Sequence, residues 1–267
     1  MPYVTTNGIR TWYDVMGDGP PLMLIHCNPF DHRSWLYQTA WFSNWFKVVT
    51  PDLRGYGRTD KITEAYTLDD LASDLLGVIE AEQMRDIVLV GVSIGAILTL
   101  KLGHERPDLF RGLVAVGASA PAKDRGPNDP RVRGYREQGI EGYYRRHMAE
   151  TVSAAFAKSP MGQHFLDMFE TNASNLEAEA IVKILQARAP VDFVPILPKI
   201  QRPLMIINGE HDSALREGMR AASLVPGATH HILPGTGHAC YMEDPAGFNA
   251  LLMEFLYENA LMPASQR

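Results

Sequence analysis

The apolar positions of the chain fall into two kinds of run that alternate. Leu22-Met23-Leu24-Ile25, Phe46-Lys47-Val48-Val49-Thr50, Ile87-Val88-Leu89-Val90 and residues 112–118 are short and β-branched or wholly apolar, as buried strands are. Between them the spacing turns helical. Leu68, Leu71, Leu75, Val78 and Ile79 recur on one face, with Thr67 as a cap and Asp69 and Asp70 in the first turn. Residues 94–102 are long enough for a buried helix that ends near Pro107, and residues 34–45 predict another with Ser34 as its cap. Residues 2–17 predict a two-stranded start around the turn signal Asn7-Gly8. Strand alternating with helix calls for an α/β fold, a mostly parallel sheet with helices on both faces.

The regularity stops at Pro121. From there to about Pro198 the pattern is helical and shows no convincing strand. Strands resume at Leu204-Met205-Ile206-Ile207-Asn208 and Thr229-His230-His231-Ile232-Leu233, and a last helix runs from Pro245 to about Ala260. Residues 1–120 and 199–267 therefore read as one core, and 121–198 as a helical cap inserted between its halves.

Composition narrows the partners. At 267 residues, 46% hydrophobic and 21% charged, the chain fits a soluble globular enzyme of one large domain or one domain with an insertion. The net charge of −6 argues against nucleic acid or an anionic membrane as the main partner, which leaves a small-molecule substrate. No apolar run reaches membrane-spanning length, and the first eight residues lack the basic start and apolar core of a signal peptide. Two cysteines, Cys27 and Cys240, make no disulfide framework, so a cytoplasmic location is expected. The oligomeric state is left open.

The chemistry centres on Gly91-Val92-Ser93-Ile94-Gly95, a G-x-S-x-G turn between an apolar strand and a helix. That junction holds its middle residue strained and exposed at the carboxyl end of a sheet, where open α/β sheets bind ligands. A serine there needs a base, and the base an orienting acid. Asp212 follows the strand at 204–208, and His238 follows the strand at 229–233, so both sit on loops at the same edge as Ser93. The chain order Ser, Asp, His suits this architecture. Among the other histidines, His26 ends a strand and is structural or pocket-lining, and His32, His104, His147 and His164 lack a suitable loop. His230 and His231 lie within or beside a strand, and His211 neighbours Asp212. Glu210 is the rival acid and Asp124 a more distant one. Two backbone N–H donors for an oxyanion are expected from Ile94 and from Asn28, after the strand at 22–25. The Asn28 amide either points into the pocket as well or makes a turn before Pro29.

Taken together, His26-Cys27-Asn28-Pro29, Asp52-x-Arg54-Gly55-x-Gly57, the Ser93 pentapeptide, Asp212 and Gly237-His238 resemble the α/β-hydrolase superfamily, over nearly the whole chain. More narrowly they resemble its capped small-molecule serine hydrolases, the esterases and enol-lactonases with an H-G-x-P oxyanion loop. The resemblance implies a metal-free, cofactor-free triad, and implies that Asp52 and Arg54 organise a loop. Cys27 stands where the family usually has glycine, so a side chain there is expected to crowd the loop or require another backbone angle. Thr59 stands where serine is common. Ser93, in place of aspartate, argues against the dehalogenase branch.

The cap is expected over Ser93, with Trp35, Tyr144, Phe165, Phe169 and Tyr241 as candidate substrate-binding residues. Phe165, Met168 and Phe169 share a helix face, which serves cap packing or pocket lining. Arg131, Arg133, Arg136, Arg145 and Arg146 either attract a carboxylate-bearing substrate or form a solvated face paired with Glu137 and Glu141. The expected reaction is cleavage of a small ester or lactone through an acyl-enzyme. The alternative is hydrolysis of a C–C bond in a vinylogous ketoacid from aromatic-ring cleavage. A ligand receptor that keeps the triad but works through its lid is a third class, with no partner surface in the sequence to support it.

Overall fold

The structure, a computed structural model, describes residues 3–118, 129–187 and 192–263. The chain opens with a hairpin, β1 (Tyr3–Thr6) and β2 (Ile9–Met16), turned at Asn7 and Gly8, both with positive φ. β3 (Pro21–Ile25) leads into the loop at 26–30 and a 3₁₀ turn at His32–Trp35, followed by α1 (Leu36–Phe42). Here the helix expected from Ser34 is corrected. Asp31 caps one turn earlier, its carboxylate accepting from the Arg33 N–H at 3.0 Å, so Ser34 ends up buried inside the 3₁₀ turn.

β4 (Lys47–Pro51) precedes α2 (Leu68–Ala81), which buries the five apolar positions seen in the sequence. Thr67 and Asp70 form a reciprocal capping box at its start. β5 (Ile87–Val92) runs into α3 (Ile94–Glu105), apolar nearly all round because it is packed between the sheet and α2. β6 (Phe110–Val116) starts two residues before its expected position.

The segment before the next strand carries α4 (Pro130–Glu150), α5 (Ala154–Lys158), α6 (Pro160–Glu170) and α7 (Ala178–Ala187), with no strand among the described residues. Asp124, the distant candidate acid, lies outside the described residues. α4 is kinked at Gly139 and packs against α6 and α7. The core resumes with β7 (Leu204–Gly209), α8 (Leu215–Leu224), β8 (Thr229–Leu233), the short α9 (Cys240–Glu243) and α10 (Pro245–Glu258). α8, which is absent from the elements expected from the sequence, buries the small residues Gly218 and Ala221.

One eight-stranded sheet results, in the order β1-β2-β4-β3-β5-β6-β7-β8. β1 and β2 are antiparallel, β2 and β4 likewise, and every later pairing is parallel. β3, β5 and β7 are almost wholly buried, which explains their unbroken apolar runs. The carboxyl ends of β3, β5, β6, β7 and β8 share one edge, and Asn28, Ser93, Asp212 and His238 issue from it.

Candidate active site

Ser93 sits between β5 and α3 at φ 56° and ψ −108°, a conformation that costs a non-glycine residue of order 1–3 kcal/mol. The surroundings enforce it. The Ser93 N–H donates to Val116 O at 2.8 Å, and a Cβ on Gly91 would lie 2.1 Å from the Gly95 carbonyl oxygen. Strand and helix can therefore close on one another only with glycine at both places.

The loop after β7 brings Asp212 under the loop after β8. His238 Nδ1–H donates to Asp212 Oδ1 at 2.8 Å. Oδ1 also accepts from the Ala214 N–H at 2.9 Å, and Oδ2 accepts from Asn208 Nδ2 at 2.9 Å. Asn208 is held in turn, its Oδ1 taking a hydrogen bond from His230 Nε2 at 3.0 Å. Burial alone would push the Asp212 carboxyl up, but the His238 ring and these hydrogen bonds outweigh it and hold it below the usual carboxylate value. Gly117 at the end of β6 has positive φ, and a Cβ there would lie 2.7 Å from the His238 ring. The imidazole thus packs close against bare backbone. Glu210, the rival acid, is exposed and accepts instead from the Gly235 N–H at 2.8 Å.

A cavity of about 40 Å³ joins Ser93 and His238 to Asn28, Ile94, Arg131, His147, Thr151, Ile184 and Leu185. Ile94 opens α3, where N–H groups have no intrahelical partner. Asn28 follows β3. Its Oδ1 accepts from the buried Tyr56 hydroxyl, while its Nδ2 is buried with no hydrogen-bond partner among the described residues. An unmet donor of this kind costs about 1–3 kcal/mol, which a bound acceptor would return.

The Cys27 backbone stays outside the left-handed region, and its thiol is buried 3.8 Å from the Tyr241 hydroxyl. Cys27 and Cys240 are both free. His26 is structural: Nδ1–H donates to Cys27 O at 3.1 Å and Nε2 accepts from the Leu53 N–H at 2.9 Å. Asp52 and Arg54 do organise their loop. Asp52 accepts from the backbone N–H groups of His32 and Arg58, and Arg54 makes a two-pronged bond to Asp74 with both distances 2.7 Å. Asp31, His32 and Asp52 approach one another as metal ligands would, but the His32 ring already donates to Asp52, and Arg33 occupies Asp31.

The five aromatic candidates are absent from the cavity wall, and each is engaged elsewhere. Trp35 stacks near Tyr241 at 4.3 Å between ring centroids, both fully buried. The Tyr144 hydroxyl donates to Pro29 O at 3.1 Å, tying α4 to the loop after β3. Phe165 packs on Tyr37 and Phe156, and Phe169 on Phe30 and the Arg33 guanidinium. Four of the five arginines are ion-paired at the surface: Arg133 with Glu137, Arg136 with Glu179, Arg145 with Asp167 and Glu170, Arg146 with Glu150. Arg131 alone of them borders the cavity, paired with Asp129.

Sequence reasoning passed over His147, Thr151, Ile184 and Leu185, which the inserted helices bring to the wall. It also passed over Glu243, whose carboxylate accepts from the N–H groups of Gly237 and Ser153 and so ties the His238 loop to the insertion. A carboxylate five residues after His238 was the available signal.

Known proteins share this plan. The "AB hydrolase superfamily protein YisY" of Bacillus subtilis is 27% identical, the alignment covering 94% of this chain and 97% of that protein. The crystal structure of the enol-lactonase from Burkholderia xenovorans superposes with a TM-score of 0.88 at 23% identity, covering 96% of this chain and all of that one. A thermophilic esterase from Thermogutta terrifontis superposes with a TM-score of 0.86 at 21% identity, covering 97% and 98%. The sequence profile described as "Alpha/beta hydrolase family" matches residues 22–251, from β3 into α10 and across every residue of the cavity wall, so the chain belongs to the alpha/beta hydrolase family.

Proposed function

We propose that the protein is a serine hydrolase of small esters or lactones, with Ser93 as nucleophile, His238 as base and Asp212 as its orienting acid. The observation that carries this is the part-buried 2.8 Å bond from His238 Nδ1–H to Asp212, with the same imidazole on one cavity with a strained Ser93. Asp212 fixes the tautomer, so the other ring nitrogen is free of its proton and able to accept one.

Ser93 Oγ attacks the acyl carbonyl as His238 takes its proton. Charge gathers on the carbonyl oxygen, where the backbone N–H groups of Ile94 and Asn28 receive it. His238 then protonates the departing alkoxide, leaving an acyl-enzyme. Water, deprotonated by His238, adds to the acyl carbon, and collapse of the second tetrahedral intermediate returns the proton to Ser93 and releases the acid. No step calls for a cofactor. The four inserted helices serve as the cap, and through Arg131, His147, Ile184 and Leu185 they set the shape of the acyl pocket. Enol-lactone and ester hydrolysis by the two structural neighbours is compatible with this reading.

Hydrolysis of a C–C bond in a vinylogous ketoacid is the second reading. Arg131 on the cavity wall favours it, though Asp129 already neutralises that charge, and the other four arginines are committed elsewhere. A panel of short esters, lactones and ring-cleavage acids, run on wild type and Ser93→Ala, tests both. Turnover of esters or lactones with an acyl burst, lost in Ser93→Ala, is expected. Failure on every ester and lactone sinks the first reading, and turnover of the ring-cleavage acids alone establishes the second.

A further inference from the structure

Four polar side chains besides Ser93 and His238 border the cavity: Asn28, Arg131, His147 and Thr151. Their existing hydrogen bonds decide what each has left to offer a substrate. The Thr151 hydroxyl proton goes to Met148 O at 2.7 Å. Arg131 directs Nε and Nη2 to Asp129. Asn28 keeps an unmet Nδ2 donor. His147 meets the Tyr135 hydroxyl through Nδ1 at 2.8 Å.

The last pair fixes a proton. Tyr135 is buried, and its phenol has one proton that needs an acceptor; Nδ1 of His147 is the acceptor within reach. With the Tyr135 O–H donating, Nδ1 is unprotonated and the neutral ring carries its hydrogen on Nε2. The ring stays neutral, because burial, with the Arg131 charge adding to it, pushes its pKa down to about 3. It is also stacked on Tyr143, with centroids 5.9 Å apart. Beyond the reacting groups, Asn28, Arg131 and His147 therefore offer N–H donors to the cavity, and the Thr151 hydroxyl oxygen is the acceptor that faces them.

We propose that His147, set by Tyr135, is a specificity residue that donates its Nε2 proton to a second oxygen on the acyl part of the substrate. The enzyme then prefers 3-oxoacyl or carboxyacyl esters and lactones to plain alkanoyl ones. A cavity of about 40 Å³ keeps that acyl part short. An alkanoyl chain entering it leaves the Nε2 and Asn28 donors unpaired, and a site built to hydrogen-bond penalises a ligand that cannot answer. Tyr135 is a positioning residue, since it acts through His147. The inference rests on the serine hydrolase reading.

The test compares kcat/KM for ethyl 3-oxobutanoate, monoethyl malonate and ethyl butanoate in wild type, His147→Leu, His147→Gln and Tyr135→Phe, by pH-stat. The readout is the ratio of an oxygen-bearing substrate to ethyl butanoate within one preparation. It is independent of the folded fraction, and intrinsic ester reactivity cancels between variants. His147→Leu lowers the ratio about tenfold, the worth of one buried hydrogen bond. His147→Gln, whose amide N–H falls near Nε2, restores most of it, and Tyr135→Phe gives an intermediate value. A fall confined to 3-oxobutanoate identifies a carbonyl as the partner, and one confined to malonate a carboxylate. A ratio that His147→Leu and Tyr135→Phe leave within twofold of wild type overturns the proposal while the hydrolase reading stands. Absence of Ser93-dependent turnover on all three substrates overturns that reading, and this one with it.

Discussion

Replacing Asp212 with asparagine tests the centre of the argument, because the structure leaves the new amide no comfortable orientation. Oδ1 of Asp212 accepts from His238 Nδ1 and the Ala214 N–H, and Oδ2 accepts from Asn208 Nδ2. With the asparagine oxygen at the Oδ1 position, its NH₂ faces the NH₂ of Asn208, which can turn only by giving up His230. With NH₂ at the Oδ1 position, it faces the Ala214 N–H and forces His238 to accept at Nδ1. The ring then carries its proton on Nε2 and is no base for Ser93. Either orientation leaves a buried donor unmet, a cost of about 1–3 kcal/mol in stability. The wrong tautomer lowers kcat by about ten-thousandfold at neutral pH. Turnover of a nitrophenyl ester and urea unfolding measure the two losses separately. The pH dependence has a definite sign. The folded pKa of Asp212 is depressed, so its contribution is complete above the unfolded carboxyl value of about 3.9 and is lost as pH falls through the folded value. The stability gap between wild type and Asp212→Asn therefore closes in acid, below about pH 4. Asp212→Asn with more than a tenth of wild-type kcat would refute the assignment of Asp212.

Ser93→Gly relieves the positive φ and is expected to raise stability by about 1 kcal/mol while abolishing turnover, read by thermal melts beside the ester assay. Arg54→Ala strands the buried Asp74 carboxylate and costs about 3–5 kcal/mol near pH 7. Burial already raises the Asp74 pKa against the pull of Arg54, so that cost shrinks as pH falls and Asp74 takes a proton; urea unfolding at two pH values checks it. His147 has a folded pKa of about 3, so below about pH 6.5 the unfolded chain binds a proton that the folded one excludes. Wild type therefore loses up to about 1.4 kcal/mol per pH unit from this group between pH 6.5 and 3, and His147→Gln flattens the difference curve. Equal acid slopes in the two proteins would show that the ring is not held neutral.

The half of the candidate site carried by the sheet was legible because each of its parts has a local signature. Ser93 lies between two glycines at a strand-to-helix junction, and Asp212 and His238 each follow a strand that reads as one. The sheet then does the rest, since parallel strands deliver their carboxyl ends to a common edge. Asn28 was legible as a position, but its orientation by Tyr56 was not, because a contact across 28 residues has no signature in a single sequence. Helix starts were legible where one cap competed, as at Thr67, and misjudged where two did, as at Asp31 and Ser34.

The other half was less legible, for a reason that bears on substrate choice. Large aromatic residues at helical spacing leave packing and pocket lining both open, and here packing takes them: Phe165, Phe169 and Tyr144 hold the inserted helices to one another, to α1 and to the loop after β3. Such residues go where most area can be buried, which is an interface between elements rather than the wall of a small cavity. Of the two readings of the cap arginines, the solvated face is the one the ion pairs support. Arginines on α4 found carboxylates on their own surface, and Arg131, which reached the cavity, brought Asp129 with it. What remains to meet a substrate is whatever the fold leaves unpaired, here the Nε2 proton of His147, the Nδ2 protons of Asn28 and the Nη1 protons of Arg131. On the proposal made above, the inserted helices select by hydrogen-bond deficit more than by charge. The preference it imposes should therefore survive high salt, which screens ion pairs but leaves buried donors unmet.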